Sequence, residues 1–459
     1  MNIYLHVEIS ARELDSKLLI ATLAAARGHQ VIVSDIEIIE KGLRKGVLPS
    51  GIFHTKSLTP GKSKIDRHNS IINEGSKITS IDEEGGLTEH RYDEVAKIRY
   101  SEETINQSTA VFGWGDEDFE TLKKKFNKCS DKFYKTGSPR ADLWKSTFFD
   151  YWSLPKNAPK KPYLLISSKM TVCDSKFFHD RVSIARSGGY YDRLPELFKR
   201  TFMTRSQDYL KAIAFIEAIK YLSKHNNGYD IVLRPHPIEN IDGWKILLEG
   251  IPNVHVIREG SISAWVQNSF AVMHNGCTTA IEASISQIPL ITYASPELEY
   301  HNNLTNELGF RVETKENLLN KINSLYDNIK FENTKNLTEQ ISNKISKKIY
   351  LDENELAAEK MIKIWESLSN NELSNSINLM KLNFFIFKMK INKLIGNLLR
   401  KLFPARFGNL GYRKKNSKFP ALDKIDISER IKKLQQILKI DKKIECKLIS
   451  ERTIIVKCL

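Results

Sequence analysis

Side chains that bind phosphate follow two predicted strands between residues 230 and 282. The apolar run 230–233 predicts a strand, and Arg234, His236 and Pro237 come directly after it. The run 270–273 predicts a second strand, followed by a turn and a helix that supply Asn275, Gly276, Thr278, Thr279 and Glu282. Ligands bind open parallel sheets at the carboxyl ends of strands, where a helix N-terminus also offers N–H groups. We therefore expect these residues to surround one phosphate-binding crevice.

Some of these residues have plainer explanations. The spacing of Thr279 and Glu282 is that of a capping box, and helix capping alone accounts for both. Arg234 lies on a strand, so its side chain has an alternative direction away from the crevice. His274 is interpreted as a turn residue. The sequence leaves these alternatives open.

A second candidate site is an acidic turn in the first part of the chain. The predicted strand 77–81 ends in Asp82, Glu83 and Glu84, followed by two glycines. Adjacent like charges raise a carboxyl pKa, and glycine allows a sharp turn beside a ligand. A solvated acidic turn is the alternative. Glu8 and Arg12 follow the first predicted strand, 3–7, where they also reach a ligand at the sheet edge.

Composition excludes several classes of protein. The chain has 459 residues, of which 41% are hydrophobic, so it is long enough for two domains with real cores. Its five cysteines are scattered without CxxC spacing, which argues against a zinc site or a disulfide framework. A strand begins at residue 3, leaving no room for a signal peptide, and no apolar run is long enough to span a bilayer. We expect a cytoplasmic protein with no metal and no cofactor.

The positive charge of the chain is concentrated in one segment. Of the formal net charge of +15, residues 377–422 contribute eleven Lys and Arg side chains and no acid. The basic character therefore belongs to a local surface and does not indicate a nucleic-acid groove.

Alternating strands and helices predict an α/β protein with two Rossmann-like, doubly wound domains facing a cleft. We assign 1–150 to the first domain, 151–162 to a Pro- and Lys-rich linker, and 163–330 to the second domain. A strand at 163–166 opens that domain and ends in Ser167 and Ser168, which are further nucleotide-binding candidates. The stretch 176–205 reads as a long loop or lid, 331–372 as a helical return segment, and 373–459 as a basic appendage with a small terminal module.

Four short motifs carry a resemblance: residues 12–19, 82–85, 137–140 and 274–279. Together they resemble the bacterial surface carbohydrate biosynthesis proteins and the GT-B glycosyltransferases that use CMP-activated sialic acid or Kdo. The resemblance spans roughly 1–326 and implies a GT-B-like fold, in which 1–150 binds the acceptor and 163–330 binds the nucleotide sugar. It also implies transfer of a nonulosonic acid, such as a sialic, Kdo, legionaminic or pseudaminic sugar, from its CMP donor to a surface polysaccharide or lipopolysaccharide acceptor.

The resemblance also implies roles for individual residues. Glu84 takes the place of the base that deprotonates the acceptor hydroxyl, and Glu83 stays a candidate because Asp82 makes the frame of the motif ambiguous. His236 takes the place of the residue that holds the CMP phosphate and protonates it as it leaves. Thr278 and Thr279 take the place of the hydroxyl pair on the same phosphate. Arg140, in the 137–140 motif, joins Glu8 and Arg12 as an acceptor-side candidate.

The chemistry of the residues is compatible with these roles. One phosphate gains charge as the donor departs, and a cation, an imidazolium and a helix N-terminus stabilise it without a metal. Two other classes remain open: a CDP-glycerol or CDP-ribitol phosphotransferase of surface polymer synthesis, and a non-catalytic polysaccharide-assembly protein.

The basic segment contains an amphipathic pattern. From Ile391, apolar residues recur at helical spacing through Leu402, with cations on the other side. This pattern favours a helix lying on an anionic membrane surface, with 377–422 as the contact. Burial of the same face against the protein's own domains is the alternative. Membrane docking would place the enzyme at the inner face of the cell membrane, near a lipid-linked glycan acceptor.

Overall fold

The structure, a computed structural model, describes residues 1–87, 92–170, 195–236, 239–294, 304–328, 345–369, 376–402 and 418–459. The chain forms two compact units. The first consists of Met1–Leu143 and Ser346–Leu459, and the second of Trp144–Ile345. In sequence, the second unit is therefore an insertion within the first.

An eight-stranded sheet forms the centre of the first unit, in the order β13-β14-β2-β1-β3-β4-β5-β6. Its strands are β1 (Asn2–His6), β2 (Gln30–Ser34), β3 (Ile52–Thr55), β4 (Lys77–Ile81), β5 (Ala110–Gly113), β6 (Phe133–Lys135), β13 (Ile444–Ser450) and β14 (Thr453–Cys458). The pairs from β2 to β6 are parallel. The β13–β14 and β14–β2 pairs are antiparallel.

The helices of the first unit come from both of its chain segments. They are α1 (Ser10–Ala26), α2 (Ile36–Arg44), α3 (Lys62–Asn73), α4 (Tyr92–Arg99), α5 (Glu102–Asn106), α6 (Asp116–Lys125), α7 (Pro139–Asp142), α13 (Ala357–Leu368), α14 (Leu379–Leu402) and α15 (Lys424–Ile437). Helix α1 is buried along most of its length because it packs against β2, β14, α7, α13 and α15. Burial on several sides accounts for the largely apolar sequence of the second half of the helix, residues 18–26, whereas the first half also buries Glu13, Asp15 and Lys17.

The second unit has a six-stranded parallel sheet in the order β12-β11-β10-β7-β8-β9. Its strands are β7 (Tyr163–Ser167), β8 (Asp230–Arg234), β9 (Val254–Val256), β10 (Ala271–His274), β11 (Leu290–Tyr293) and β12 (Phe310–Val312). Its described helices are α8 (Pro195–His225), α9 (Ile241–Leu247), α10 (Ile262–Gln267), α11 (Thr279–Ile285) and α12 (Lys315–Asn328). The predicted fold class, α/β with two Rossmann-like units on parallel sheets and a helical region near the C-terminus, is confirmed.

Both sheets reverse their strand order at one point. In the first, the chain runs from β1 to β2 on one side and returns to β3 on the other; in the second, β8 and β10 lie on opposite sides of β7. Ligands of open α/β sheets bind outside the carboxyl ends of the strands at such a point. The topology therefore marks the ends of β1 and β3 in one unit and of β7 and β10 in the other.

Helix α14 is only partly packed on the first unit. Leu382, Phe385 and Ile386 are buried in a core cluster with residues of β1, β2, β3 and α2. Other apolar side chains of the helix are exposed, and they recur at a spacing of three or four residues. This exposed stripe consists of Met380, Phe384, Phe387, Ile391, Leu394, Ile395, Leu398 and Leu402.

Three features differ from the sequence-based expectations. The terminal stretch is not a separate module, because β14 pairs with β2 and so extends the first sheet. The predicted loop 176–205 is helical from Pro195, where α8 begins; residues 171–194 lie outside the described part of the chain. Helix α13 lies within the predicted return segment 331–372 and packs on α1 and α7, so the described part of this segment from Ser346 onwards belongs to the first unit.

Candidate active site

The second unit brings several predicted residues together at the ends of β7 and β10. The Ser167 Oγ lies 3.1 Å from the Thr279 Oγ1 and 3.1 Å from the Cys277 Sγ. Gly276 turns the chain between β10 and α11 with φ of +74°, a conformation that disfavours side-chain-bearing residues. Asn275 is buried beside the turn and donates to the Tyr293 carbonyl at 2.8 Å. Ser167, Asn275, Gly276 and Thr279 therefore share one region.

Lys169 is a cation of this region that the sequence analysis did not include among the site residues. It follows β7 and donates from Nζ to the Gly276 carbonyl at 3.4 Å. Its ammonium thus lies at the turn that precedes Thr278 and Thr279. The sequence contained a signal for this role, because Lys169 comes two residues after the carboxyl end of β7, where ligands bind.

Arg234 does not have the predicted position. Its guanidinium donates to the carbonyls of Arg258, Glu259 and Gly260 at 2.7–3.0 Å. It also lies over the Trp265 ring, 5.3 Å from the centroid. Burial lowers the pKa of Arg234 to about 10. The guanidinium is therefore engaged by the loop after β9, and the role of Arg234 as a phosphate ligand stays a prediction.

Ser168 also has an interior role. Its Oγ donates to Glu239 at 2.5 Å, and the same carboxylate accepts from the Trp244 Nε1 at 2.8 Å. Ser168, Glu239 and Trp244 are all buried. The hydroxyl of Ser168 is thus used to satisfy a buried carboxylate, and its assignment to the nucleotide site stays a prediction.

His236 is exposed just beyond the end of β8. Its carbonyl accepts from the Glu239 backbone N–H at 2.8 Å. Desolvation lowers the pKa of His236, although the nearby Glu239 carboxylate opposes this effect. The imidazole is therefore neutral at pH 7 in this state. Pro237 lies outside the described residues.

The predicted capping box at α11 is not formed. Thr278 is the N-cap residue, but its side chain makes no capping hydrogen bond. Glu282 is buried on the helix. The Thr278 hydroxyl is consequently not used to close the helix end.

In the first unit, the three consecutive acids have three different environments. Glu83 lies 2.5 Å from the ammonium of Lys17, and both side chains are almost fully buried. The Glu83 carboxylate is thus held in an internal ion pair. Sequence analysis did not identify Lys17, because nothing in the local pattern connects it to a residue 66 positions away.

Glu84 is the most exposed of the three acids, with 42% of its side chain accessible. Its carboxylate accepts from Arg12 on one oxygen and from Arg99 on the other, the latter at 2.6 Å. Partial burial acts to raise the pKa of Glu84, but the two arginines outweigh it, and the pKa lies below its usual value. Glu84 is therefore an ionised carboxylate that faces solvent.

Asp82 is buried and accepts from Arg99 at 2.7 Å. Burial raises its pKa.

The Trp114 indole donates to the Asp82 carbonyl at 2.7 Å and packs on Gly86, where an added Cβ would lie 2.6 Å from the ring. Because a side chain at position 86 would collide with Trp114, packing alone explains why this residue is glycine, and no ligand is needed to account for it.

These acids line a cavity of 2090 Å³ at the carboxyl end of the first sheet. Its walls include the ends of β1 and β3, helix α2 and one side of α14. Glu8, Arg12, Glu83 and Glu84 all line it. Glu8 pairs with Lys56 at 2.5 Å, which lowers its pKa to about 2 against the effect of burial. Arg140 is not among the described lining residues; it donates to the Glu83 carbonyl at 3.4 Å.

The described residues contain neither a metal-binding cluster nor a membrane-spanning helix. No group of three or more His, Cys, Asp or Glu side chains in these parts of the chain is arranged to hold a metal ion. Within the same ranges, no helix combines the length and apolarity needed to cross a bilayer.

No protein-family model matches the chain, and no curated protein sequence matches it. Solved structures with a similar arrangement include a putative UDP-N-acetylglucosamine 2-epimerase from Listeria monocytogenes, with 14% identity over 81% of this chain and 97% of the other, at a TM-score of 0.48. A glycosyltransferase from Rickettsia africae shares 12% identity over 81% and 99%, at 0.44. The wall teichoic acid polymerase TagF shares 11% over 69% and 71%, at 0.38. These values are too low to assign an activity to this chain.

Proposed function

We propose that the protein is a GT-B glycosyltransferase that moves a nonulosonic acid from a CMP-activated donor to a glycan acceptor in surface polysaccharide or lipopolysaccharide synthesis. The observation that supports this proposal best is the placement of two kinds of chemistry at two topological switch points. The second unit has a cation and hydroxyls at the ends of β7 and β10. The first has the ionised Glu84 beside a large cavity at the ends of β1 and β3.

The donor phosphate binds in the second unit. Lys169 neutralises part of its charge, and Thr278 and Thr279 donate hydrogen bonds to it. His236 donates from its neutral ring in the free enzyme. Because a bound phosphate favours the imidazolium, the pKa of His236 rises when the donor binds, which prepares it to protonate the departing CMP.

Glu84 accepts the proton of the acceptor hydroxyl. The reaction forms the bond between this oxygen and the anomeric carbon and breaks the bond to the CMP phosphate oxygen. The pairing with Arg12 and Arg99 keeps the carboxylate ionised but weakens it as a base. An acceptor that attracts either arginine to itself would restore the basicity of Glu84 when it binds.

The test is release of CMP from a panel of CMP-activated sugars, measured by mass spectrometry with glycan acceptors present. We expect CMP release with at least one CMP-nonulosonic acid and a matching gain of mass on the acceptor. Turnover of CDP-glycerol or CDP-ribitol instead would identify a phosphotransferase. Absence of turnover and of CMP binding would favour a non-catalytic assembly protein.

We also propose that the enzyme acts at the inner face of the cell membrane through α14. The exposed stripe of this helix presents eight apolar side chains to solvent. Lys381, Lys388 and Lys393 belong to the same helix, and the segment 377–422 contains no acid. Apolar side chains together with cations favour a surface with an acyl interior and anionic headgroups. An acceptor linked to lipid in that membrane would lie near the enzyme.

A further inference from the structure

The cavity of the first unit has an excess of positive side chains. Twelve Lys and Arg residues line it, against seven Asp and Glu residues. Several acids are already paired, including Glu8 with Lys56, Glu37 with Lys41 and Glu84 with two arginines. Among the described lining residues, the cations therefore outnumber the carboxylates by five.

Among these cations, the contacts of Lys64 point most directly to a bound anion. Its Nζ donates to the Ser57 carbonyl at 3.0 Å, to the Ser57 Oγ at 3.0 Å and to the Thr59 Oγ1 at 2.9 Å. All three partners are neutral oxygens. Burial lowers the pKa of Lys64 to about 8, and the nearby charges of Arg67 and Lys56 contribute, although Asp82 and Glu8 oppose this effect. An anion at this position would stabilise three neighbouring cations at once.

His6 gives an independent sign of a ligand in the same cavity. It ends β1 at the switch point, is 7% exposed and lines the cavity. Its Nδ1 has no hydrogen-bond partner in the described structure. Buried polar atoms are nearly always satisfied, so this nitrogen is a position for a ligand hydroxyl.

We propose that this cavity binds a saccharide carrying a phosphate or carboxylate group, with the anion held by Lys64 and Arg67 and a sugar hydroxyl at His6. Arg67 pairs through Nε with Glu40 at 3.0 Å, which positions its guanidinium. The inference rests on the proposed function in one respect: it makes this anionic saccharide the acceptor that Glu84 deprotonates. The acceptor class is thereby narrowed from any glycan to an acidic or phosphorylated one.

The experiment is isothermal titration calorimetry on the full chain without donor. The probes are a phosphorylated disaccharide, a uronic acid disaccharide, the neutral disaccharide and inorganic phosphate. We expect at least one anionic disaccharide to bind tenfold or more tightly than both the neutral disaccharide and inorganic phosphate. Lys64→Gln should lose at least tenfold in this affinity. Lys62→Gln, an exposed lysine on the same helix, should lose none.

Equal affinity for the neutral and anionic disaccharides would overturn the proposal. So would inorganic phosphate binding as tightly as either anionic saccharide, or equal effects of Lys64→Gln and Lys62→Gln. Lys64→Arg keeps the charge and should retain the preference, which separates charge from folding effects. CMP binding is measured in parallel. Failure of CMP to bind the unaltered chain refutes the donor site, whereas loss of anion preference refutes only this inference.

Discussion

The Lys17 ammonium lies 2.5 Å from a carboxylate oxygen of Glu83, with the two side chains only 1% and 5% exposed. Each charge is removed from water and compensated mainly by the other. The pair joins helix α1 to the turn after β4, and this turn also carries Glu84. Two adjacent glutamates are thus divided between an interior ion pair and a solvent-facing carboxylate.

Breaking this pair should affect folding. We expect Glu83→Gln to lower the free energy of unfolding by about 3–5 kcal/mol, because it leaves the buried Lys17 charge uncompensated. Urea denaturation provides the measurement. Glu37→Gln removes an exposed pair with Lys41 and should change stability by less than about 1 kcal/mol. A stable but inactive Glu83→Gln protein would instead assign the base to position 83.

Glu84→Gln should lower turnover without lowering stability, in contrast to Glu83→Gln. The carboxamide has nearly the same shape but cannot accept the acceptor proton, so we expect turnover to fall by a factor of about 10² or more. CMP affinity and the unfolding midpoint should stay close to those of the unaltered chain. Single-turnover rates with bound donor give the measurement, and undiminished turnover would remove Glu84 from the mechanism.

Lys169→Gln and His236→Ala should each weaken CMP binding. Loss of one charged hydrogen bond to phosphate costs about 1.5–3 kcal/mol, which corresponds to roughly a 10- to 150-fold higher Kd. Calorimetry with CMP measures the change. Lys161→Gln, an exposed lysine before β7, serves as the matched control. If Lys169→Gln and Lys161→Gln bind CMP equally well, the placement of the phosphate is wrong.

His274 makes the stability of the second unit depend on pH. Burial lowers its pKa from 6.5 to about 3, so the folded unit holds the ring neutral while the unfolded chain protonates it. A depressed folded pKa gives stability that is present above pH 6.5 and is lost as the pH falls. From this residue alone we expect a loss of about 2 kcal/mol between pH 6.5 and pH 5. Denaturation of His274→Asn at both pH values should show a smaller difference.

The exposed stripe of α14 predicts binding to anionic liposomes at low salt. Leu394→Glu combined with Leu398→Glu should abolish sedimentation with the liposomes, because both side chains are exposed and lie on one helical face. Ile246→Glu combined with Leu247→Glu places the same charges on exposed positions of the second unit and should leave binding intact. Binding indifferent to lipid charge, or to the α14 substitutions, would contradict membrane docking. Substitutions are preferable to a chain ending near Asn371, which would also lose β13 and β14.

Much of the fold was predictable because its signals are local. Buried parallel strands are short apolar runs, and three of them were located from sequence to within one residue at their carboxyl ends. His274 was wrongly interpreted as a turn residue, because it is the last residue of β10 and pairs with Thr292 of β11. What those side chains contact was not predictable. Arg234 is engaged by carbonyls 24–26 positions away, and Ser168 by a carboxylate 71 positions away. Such contacts depend on how the loops pack in three dimensions. The periodic pattern of apolar residues in the sequence does not predict that packing.

The same limit applies to the first unit. The exposed stripe followed from helical spacing, but α14 also packs on the core through Phe385 and Ile386 and forms a wall of the cavity. Lys64 has no distinguishing neighbours in sequence, and its importance comes from oxygens and cations that the fold assembles around it. The proposed anion site could therefore be derived only from the three-dimensional structure.

The pairing of β14 with β2 has a consequence for how the chain acquires its structure during synthesis. Ser34 and Thr453 form a hydrogen bond between these strands although 419 positions separate them. At ribosomal rates of about 5–20 residues per second, the partner of β2 emerges roughly 20–80 s after β2 itself. Throughout that interval the β2 edge, with Val31, Ile32 and Val33, is open to pairing with other chains. All described strands of the inserted second unit are synthesised before β13 and β14. The second unit is therefore able to fold before the first sheet is complete.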